Sequence, residues 1–164
     1  MRDPVRSDGC FPSLTHAPAL DNALVSFRIF RSVSDERGTV LAYLLALGLG
    51  LAPTASPEVI RSMAAAVAEV TTDREEAVTL IVLDYSRRNF DHRRSAFGHA
   101  DWVRPEATLR DMASRALHDI RAGRQLCGGR LEYALGYFHA GECRTTRSAE
   151  REARIIRHVL AVSY

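Results

Sequence analysis

Apolar residues recur every three or four positions through most of the chain after residue 56, the spacing of one face of an α-helix. Ser56 followed by Pro57 is a typical helix start, so a first helix is predicted there. The capping-box sequence from Thr72 to Glu75 predicts a second helix that extends to about residue 89. This second helix is apolar on nearly every side, so we expect it to lie at the centre of the domain.

Three more helices follow a polar, irregular stretch over residues 90–104. Pro105 predicts the start of a third helix, and Gly123 is a candidate C-terminal stop. A fourth helix is predicted from Leu131 to Ala140, and a fifth covers residues 148 to about 162. No convincing alternating strand and no internal repeat is present. The sequence therefore predicts an all-α domain of about five helices over residues 56–164.

The residues before this domain divide into two segments. Residues 1–39 mix Pro, Gly, Ser and scattered charge without a sustained period, which predicts a disordered or loosely packed arm. Residues 40–55 begin with a thirteen-residue apolar run, shorter than the ~20 residues that a membrane-spanning helix needs. No transmembrane span is predicted. This segment is either a signal-like h-region, followed by small residues, or a buried helix packed on the domain.

Composition and cysteine content narrow the function classes. The chain has 164 residues, of which 46% are hydrophobic and 26% charged, as in ordinary globular proteins. A formal net charge of +2 does not indicate a nucleic-acid partner, although all the basic residues are Arg. The cysteines at positions 10, 127 and 143 lack zinc-site spacing and are compatible with one bridge and one free thiol. A disulfide between Cys127 and Cys143 would clamp the two ends of the predicted fourth helix.

Several common catalytic signatures are absent from the sequence. There is no Walker loop, no dinucleotide-binding glycine fingerprint, no HExxH and no GxSxG. The scattered histidines are typical of surface groups rather than of a metal site. No metal and no cofactor is predicted.

Three ordered segments carry a resemblance to a known family. Tyr85 to Phe90 ends the apolar second helix, Ala96 to Asp101 lies in the polar stretch, and Leu135 to Gly141 ends the fourth helix. Together they resemble the soluble lytic transglycosylase branch of the lysozyme superfamily. In that family the first segment contains Glu-Ser-x-Phe, the second Gly-x-x-Gln, and the third Leu-Ala-x-Tyr-Asn-Ala-Gly. The resemblance covers about two thirds of the chain.

The resemblance implies a lysozyme-like fold and a peptidoglycan-directed function. The partner would be peptidoglycan or another cell-wall glycan, bound between the second helix, the polar stretch and the fourth helix. The resemblance favours a periplasmic or extracellular location, with a virion-associated protein as an alternative. It implies that the ligand is contacted by side chains of the three segments, namely Tyr85, Arg87, Phe97, Phe138 and His139. Trp102, which follows the second segment, is either a further contact that stacks on a sugar or a plug over the core.

The family's catalytic acid is the main departure. The register set by Tyr85 and Phe90 places Arg87 where the family has its glutamate. Cleavage of a glycosidic bond requires an acid that protonates the leaving oxygen. Arg does not deprotonate in proteins, so it cannot do this. Asp101 and Asp84 are the candidate replacement acids for a metal-independent lytic transglycosylase.

Two functions follow from these alternatives. The first is a peptidoglycan-directed domain of lytic transglycosylase type that is catalytically degenerate, and that binds or weakly cleaves cell-wall glycan. The second is a non-catalytic structural or interaction protein, a component of a phage particle or a secretion assembly, on a lysozyme-like fold. In the second case Arg87 would pair with a residue of a partner protein at an interface.

Overall fold

A computed structural model describes residues 36–86, 93–98 and 107–162 of the chain. This part forms six α-helices and one 3-10 helix, and it contains no β-strand, so the predicted all-α class is confirmed. The α-helices are α1 (Glu36–Leu51), α2 (Pro57–Val70), α3 (Arg74–Ser86), α4 (Leu109–Leu126), α5 (Leu131–Ala140) and α6 (Arg147–Val162), and the 3-10 helix is Arg93–Gly98. Most of the predicted N-terminal arm lies outside the described residues.

Helix α1 contains the apolar run except for its last residue, Ala52, and begins four residues before it. Leu44 and Leu47 are buried, and Gly48 lies so close to Ile60 that an added Cβ would be 2.5 Å from its Cγ2 atom. The helix packs against α2 and α3, which is the arrangement expected of the buried-helix alternative. Within the described ranges, no helix has both the length and the apolar character needed to cross a bilayer.

Helix α3 is the centre of the domain, as its sequence predicts. It contacts α1, α2, α4, α6 and the 3-10 helix, and every residue from Ala77 to Asp84 is buried. Its N-cap differs by one position from the predicted capping box. Asp73, rather than Thr72, accepts a hydrogen bond from the backbone N–H of Glu76, at 2.8 Å.

Helix α4 corrects two predictions about its ends. It begins after Thr108, whose hydroxyl and the Asp111 carboxylate form a reciprocal capping box. The helix also continues past Gly123 to Leu126. A Cβ at Gly123 would lie 2.9 Å from the carbonyl oxygen of Ala134, so this glycine permits close contact between α4 and α5 instead of ending the helix.

Ion pairs fix the helices around this core. The Glu76 carboxylate accepts two hydrogen bonds of 2.7 Å from Arg121, which joins the start of α3 to α4. These bonds lower the pKa of Glu76. Glu132 in α5 pairs with Arg130 and with Arg157 of α6, and the hydrogen bond from Arg130 is the main cause that lowers the pKa of Glu132 to about 2.

A disulfide joins Cys127, which follows α4, to Cys143, which follows α5, with 5.3 Å between their Cα atoms. Gly141 ends α5 in the left-handed conformation, with φ of 71°, as a C-terminal glycine is expected to do. The chain then crosses back over α5 before α6 begins. Residues 141–145 are exposed, so the disulfide attaches this connection to the rest of the domain.

Candidate functional site

The last turns of α3 and α5 meet at one buried carboxylate, Glu152 of α6. The Ser86 hydroxyl lies 2.5 Å from Oε1 of Glu152, and Nε2 of His139 lies 2.6 Å from Oε2. The side chains of His139 and Glu152 are 7% and 2% exposed. Three helices that are distant in sequence therefore place a hydroxyl, an imidazole and a carboxylate in one cluster.

Glu152 is buried because it lies on the apolar face of α6. Ala149, Ala153 and Ile156 are buried on the same face, at spacings of three and four residues. The helix starts at a Thr146 cap, whose hydroxyl accepts a hydrogen bond from the backbone N–H of Ala149 at 3.1 Å. This cap and the apolar contacts fix the rotation of α6, and that rotation directs Glu152 toward the ends of α3 and α5.

A pocket of about 300 Å³ opens over this cluster. Such a volume is at the lower end of the range for small-ligand sites. The pocket has a polar lining that includes Ser86, His139, Thr146, Ser148, Arg151 and Glu152. Its chemistry is therefore hydrogen bonding, from hydroxyl groups, an imidazole, a carboxylate and a guanidinium group.

Arg151 is the cation of this pocket. Its side chain is on the exposed face of α6, and it forms no ion pair with any other residue in the described part of the chain. Its guanidinium group is therefore available to bind a carboxylate or phosphate group of a ligand, which Arg binds through two parallel hydrogen bonds.

The cluster is not arranged as a serine nucleophile with its base. In such a site the imidazole contacts the serine hydroxyl and the carboxylate lies behind the imidazole. Here both Ser86 and His139 contact Glu152, and the described residues show no hydrogen bond between that hydroxyl and the imidazole. The carboxylate is the central group, so acid–base chemistry or ligand binding fits this geometry better than nucleophilic attack by Ser86.

Asp84, one of the two candidate acids, lies in the core and not at the pocket. It has no exposed surface, and its Oδ1 accepts a 2.9 Å hydrogen bond from the backbone N–H of Phe97. Its Oδ2 has no hydrogen-bond partner among the described residues. Burial is the main cause that raises the pKa of Asp84 to about 7. This placement favours a structural role for Asp84, since a group without exposed surface does not reach a ligand in this conformation.

The hydrogen bond from Phe97 to Asp84 holds an unfavourable backbone conformation. Phe97 has φ of 57°, in the left-handed region that bulky residues rarely adopt. Its side chain is also fully buried. Asp84 therefore anchors the 3-10 helix to α3, and Phe97, a predicted ligand contact, packs in the core instead of facing the pocket.

The other predicted site residues have different placements. His139 lines the pocket, and Phe138 packs against the core with its ring edge-to-face with that of His139, at 5.3 Å between ring centroids. Tyr85 is half-buried against the core. Three further residues, Arg87, Asp101 and Trp102, lie outside the described residues. No group of three His, Cys, Asp or Glu residues in the described ranges is arranged to hold a metal.

The residue at the centre of this site, Glu152, is not among the predicted site residues. Glu152 lies in the charged run from Glu150 to Arg154 and resembles a surface residue. One signal was present, because position 152 falls on the helical stripe defined by Ala149, Ala153 and Ile156, where an acidic residue is exceptional.

Ser86 and Arg151 belong to no sequence motif that could have singled them out. They are residues of the candidate site only because the fold places them beside Glu152.

Comparison of the whole chain with models of known families, with curated proteins and with solved structures finds no match.

Proposed function

We propose that this protein is a peptidoglycan-directed domain of lytic transglycosylase type, which binds cell-wall glycan at the pocket over Ser86, His139 and Glu152. The observation that carries the proposal is the meeting of the ends of α3 and α5 at one polar pocket. These are two of the three segments between which the resemblance implies a glycan groove. The third segment includes Asp101 and lies outside the described residues.

The lining of the pocket supports a glycan ligand. Sugars present many hydroxyl groups, which donate and accept hydrogen bonds, and the pocket offers Ser86, Ser148 and Thr146 hydroxyls beside an imidazole and a carboxylate. Peptidoglycan differs from neutral glycans because its sugars and peptides carry carboxylates. Arg151, at the edge of the same pocket, supplies the matching cation.

Glycan binding does not require the acid that Arg87 replaces. Recognition depends on shape, hydrogen bonds and charge, and the described pocket supplies hydrogen-bonding groups and one cation, Arg151. Cleavage additionally requires a group that transfers protons. The proposed function is therefore glycan recognition, with any cleavage weak compared with that of an enzyme that retains the family's glutamate.

A sedimentation assay with purified, insoluble peptidoglycan tests this function. We expect the wild-type chain to sediment with the peptidoglycan, and Arg151→Gln to bind about tenfold more weakly, because a loss of ~1.4 kcal/mol is typical of one charge-assisted hydrogen bond. Arg154→Gln is the matched control, since Arg154 is an exposed arginine of the same helix that does not line the pocket. The control should bind like the wild type.

Two outcomes of this assay contradict the proposal. Absence of wild-type binding removes the glycan function and leaves the alternative of a structural or interaction protein. Equal weakening by Arg151→Gln and Arg154→Gln indicates a non-specific effect of positive charge on α6, and it removes the pocket as the binding site.

A further inference from the structure

We propose that the solvent-facing side of α6 is a binding surface for a linear phosphodiester polymer that carries no nucleobases. The surface consists of Arg147, Arg151, Arg154 and His158, which together are called the α6 basic stripe. The inference goes beyond the proposed function, because it concerns a second ligand and a different face of the molecule. Of the four residues, only Arg151 also lines the pocket.

The spacing of the stripe places its four side chains on one side of the helix. Positions 147, 151, 154 and 158 are separated by four, three and four residues, which is the repeat of a single helix face. All four residues are exposed, and the buried residues of α6 occupy the opposite face. With a rise of about 1.5 Å per residue, the stripe is about 16 Å long.

The arginines of the stripe have no partners, in contrast to most other arginines of the protein. Seven described arginines form ion pairs with carboxylates, namely Arg110, Arg115, Arg121, Arg124, Arg130, Arg144 and Arg157. Among the arginines whose side chains the structure describes, Arg147, Arg151, Arg154 and Arg61 have no partner there. Arg61 lies on α2, so the unpaired cations are concentrated on one side of α6.

This charge arrangement is unfavourable for the helix itself. Like charges four residues apart, such as Arg147 and Arg151, repel each other, and cations in the first turns of a helix oppose its dipole. The last turn of α6, where cations would be favourable, contains no basic residue. Glu150 is also exposed on α6, but it forms no ion pair in the described part of the chain. A bound polyanion would remove both penalties.

The chemistry of the stripe fits a row of phosphate groups. A guanidinium group donates two parallel hydrogen bonds to the oxygens of one phosphate. The arginines of the stripe offer three such groups at intervals of about 4.5 to 6 Å along the helix, and His158 adds a ring N–H donor. A polymer with a negative charge in every repeat can occupy these groups in succession and release a counterion at each contact.

The other side chains of α6 favour a polymer without nucleobases. Binding sites for single-stranded nucleic acid combine basic groups with aromatic side chains on which bases stack, and α6 contains no Phe, Tyr or Trp. Helices that bind membrane surfaces present large apolar residues beside their basic ones. The large apolar residues of α6 pack against the core, apart from Val162 at its last position. The stripe therefore offers charge and hydrogen bonds alone.

Fluorescence anisotropy with labelled poly(glycerol phosphate) and the full chain tests the inference. We expect the wild type to bind, Arg147→Gln and Arg154→Gln each to bind about tenfold more weakly, and the double variant about 100-fold more weakly. The slope of the logarithm of the association constant against that of the salt concentration should decrease in magnitude by about 0.7 per lost contact. Because both substitutions relieve repulsion on an exposed face, the thermal midpoint of unfolding should not fall.

Arg61→Gln is the matched control, since Arg61 is an exposed and unpaired arginine on a different helix. It changes the net charge as Arg154→Gln does, and it should bind poly(glycerol phosphate) like the wild type. The double variant should bind peptidoglycan stripped of phosphate polymers like the wild type, because neither Arg147 nor Arg154 lines the pocket. The two ligands therefore separate the stripe from the pocket.

Three results would overturn the inference. The first is a wild-type chain that does not bind poly(glycerol phosphate). The second is equal weakening by Arg61→Gln and Arg154→Gln, which would indicate an effect of net charge alone. The third is tighter binding to oligothymidylate or to phosphatidylglycerol vesicles than to poly(glycerol phosphate), which would assign the stripe to nucleic acid or to a membrane. None of these results bears on the pocket, whose test uses peptidoglycan.

Discussion

Replacing Asp84 by Asn should stabilise the protein at pH 8 by roughly 4 kcal/mol and leave its stability nearly unchanged at pH 4. Burial raises the pKa of Asp84 from its ordinary value of 3.8 to about 7 in the folded protein. Below pH 3.8 the carboxyl group is protonated in both the folded and the unfolded states. As the pH rises from 3.8 to about 7, ionisation favours the unfolded state, and the full destabilisation is present above pH 7.

The Asn variant removes this titration and keeps the structural contact. Its side-chain oxygen can accept the hydrogen bond from the backbone N–H of Phe97, as Oδ1 of Asp84 does at 2.9 Å. At pH 4 the Asn NH₂ group and the protonated Asp84 hydroxyl both occupy the site of Oδ2, which has no partner among the described residues, so the two proteins should be nearly equally stable at that pH.

Denaturant unfolding at several pH values, with the wild type and Asp84→Asn compared at each, measures this effect. Groups whose pKa is lowered, such as Glu76 and Glu132, titrate equally in both proteins and cancel in the difference. Asp119→Asn is the control, because Asp119 forms an ion pair with Arg115 at the surface, where such changes stay within about 0.5 kcal/mol. A difference between wild type and Asp84→Asn that stays constant with pH would contradict the buried, protonated state of Asp84.

Replacing Gly136 by Ala should destabilise the protein by about 3 kcal/mol or more. An alanine inside a helix is normally more favourable than glycine by about 1 kcal/mol, so propensity alone predicts the opposite sign. At this position of α5, however, an added Cβ would lie 1.7 Å from the carbonyl oxygen of Arg144. That oxygen belongs to the backbone of the connection that crosses α5, so either the connection or the helix has to move.

Gly128→Ala separates this clash from an ordinary glycine effect. Gly128 has φ of 71° and open space around it, so an alanine there meets only the left-handed strain of ~1–2 kcal/mol. Thermal and denaturant unfolding should therefore rank the proteins as wild type, Gly128→Ala and Gly136→Ala, from most to least stable. A Gly136→Ala protein as stable as the wild type would show that the chain does not cross α5 at this distance.

Local signals predicted the helices whose ends carry strong punctuation. Pro57 begins α2 and Gly141 follows the last residue of α5, as the sequence indicates. The central position of α3 also followed from the sequence, because residues 77–83 offer almost no polar side chain to water.

Of the two predictions that failed at the ends of α4, one depended on a tertiary contact and one on a local signal. Gly123 has the features of a helix stop, yet it lies inside α4 because the backbone of α5 approaches too closely for a side chain. A glycine required for packing and a glycine required for a turn look the same in the sequence. Helix α4 also starts at Leu109 and not at Pro105, because Thr108 and Asp111 form a local capping box there.

The composition of the candidate site depends on helix rotation, which the sequence alone does not fix. The sequence named His139 at the end of α5 and residues at the end of α3, and the structure places His139 and Ser86 in the lining of one pocket. Glu152 is distinguished only by the packing of α6 against both helices, since its neighbours Glu150 and Arg151 are also charged but are exposed. Conversely, Phe97 and Asp84 were expected at the ligand and lie in the core.

The central claim is that glycan binds at the pocket over Ser86, His139 and Glu152, and an NMR titration tests it most directly. Backbone amide signals of the full chain are assigned and followed as soluble peptidoglycan fragments are added. The account predicts concentration-dependent shifts that concentrate at residues 86, 139–140 and 146–152. Signals that do not move, or that move instead along the exposed faces of α1 and α2, would contradict it.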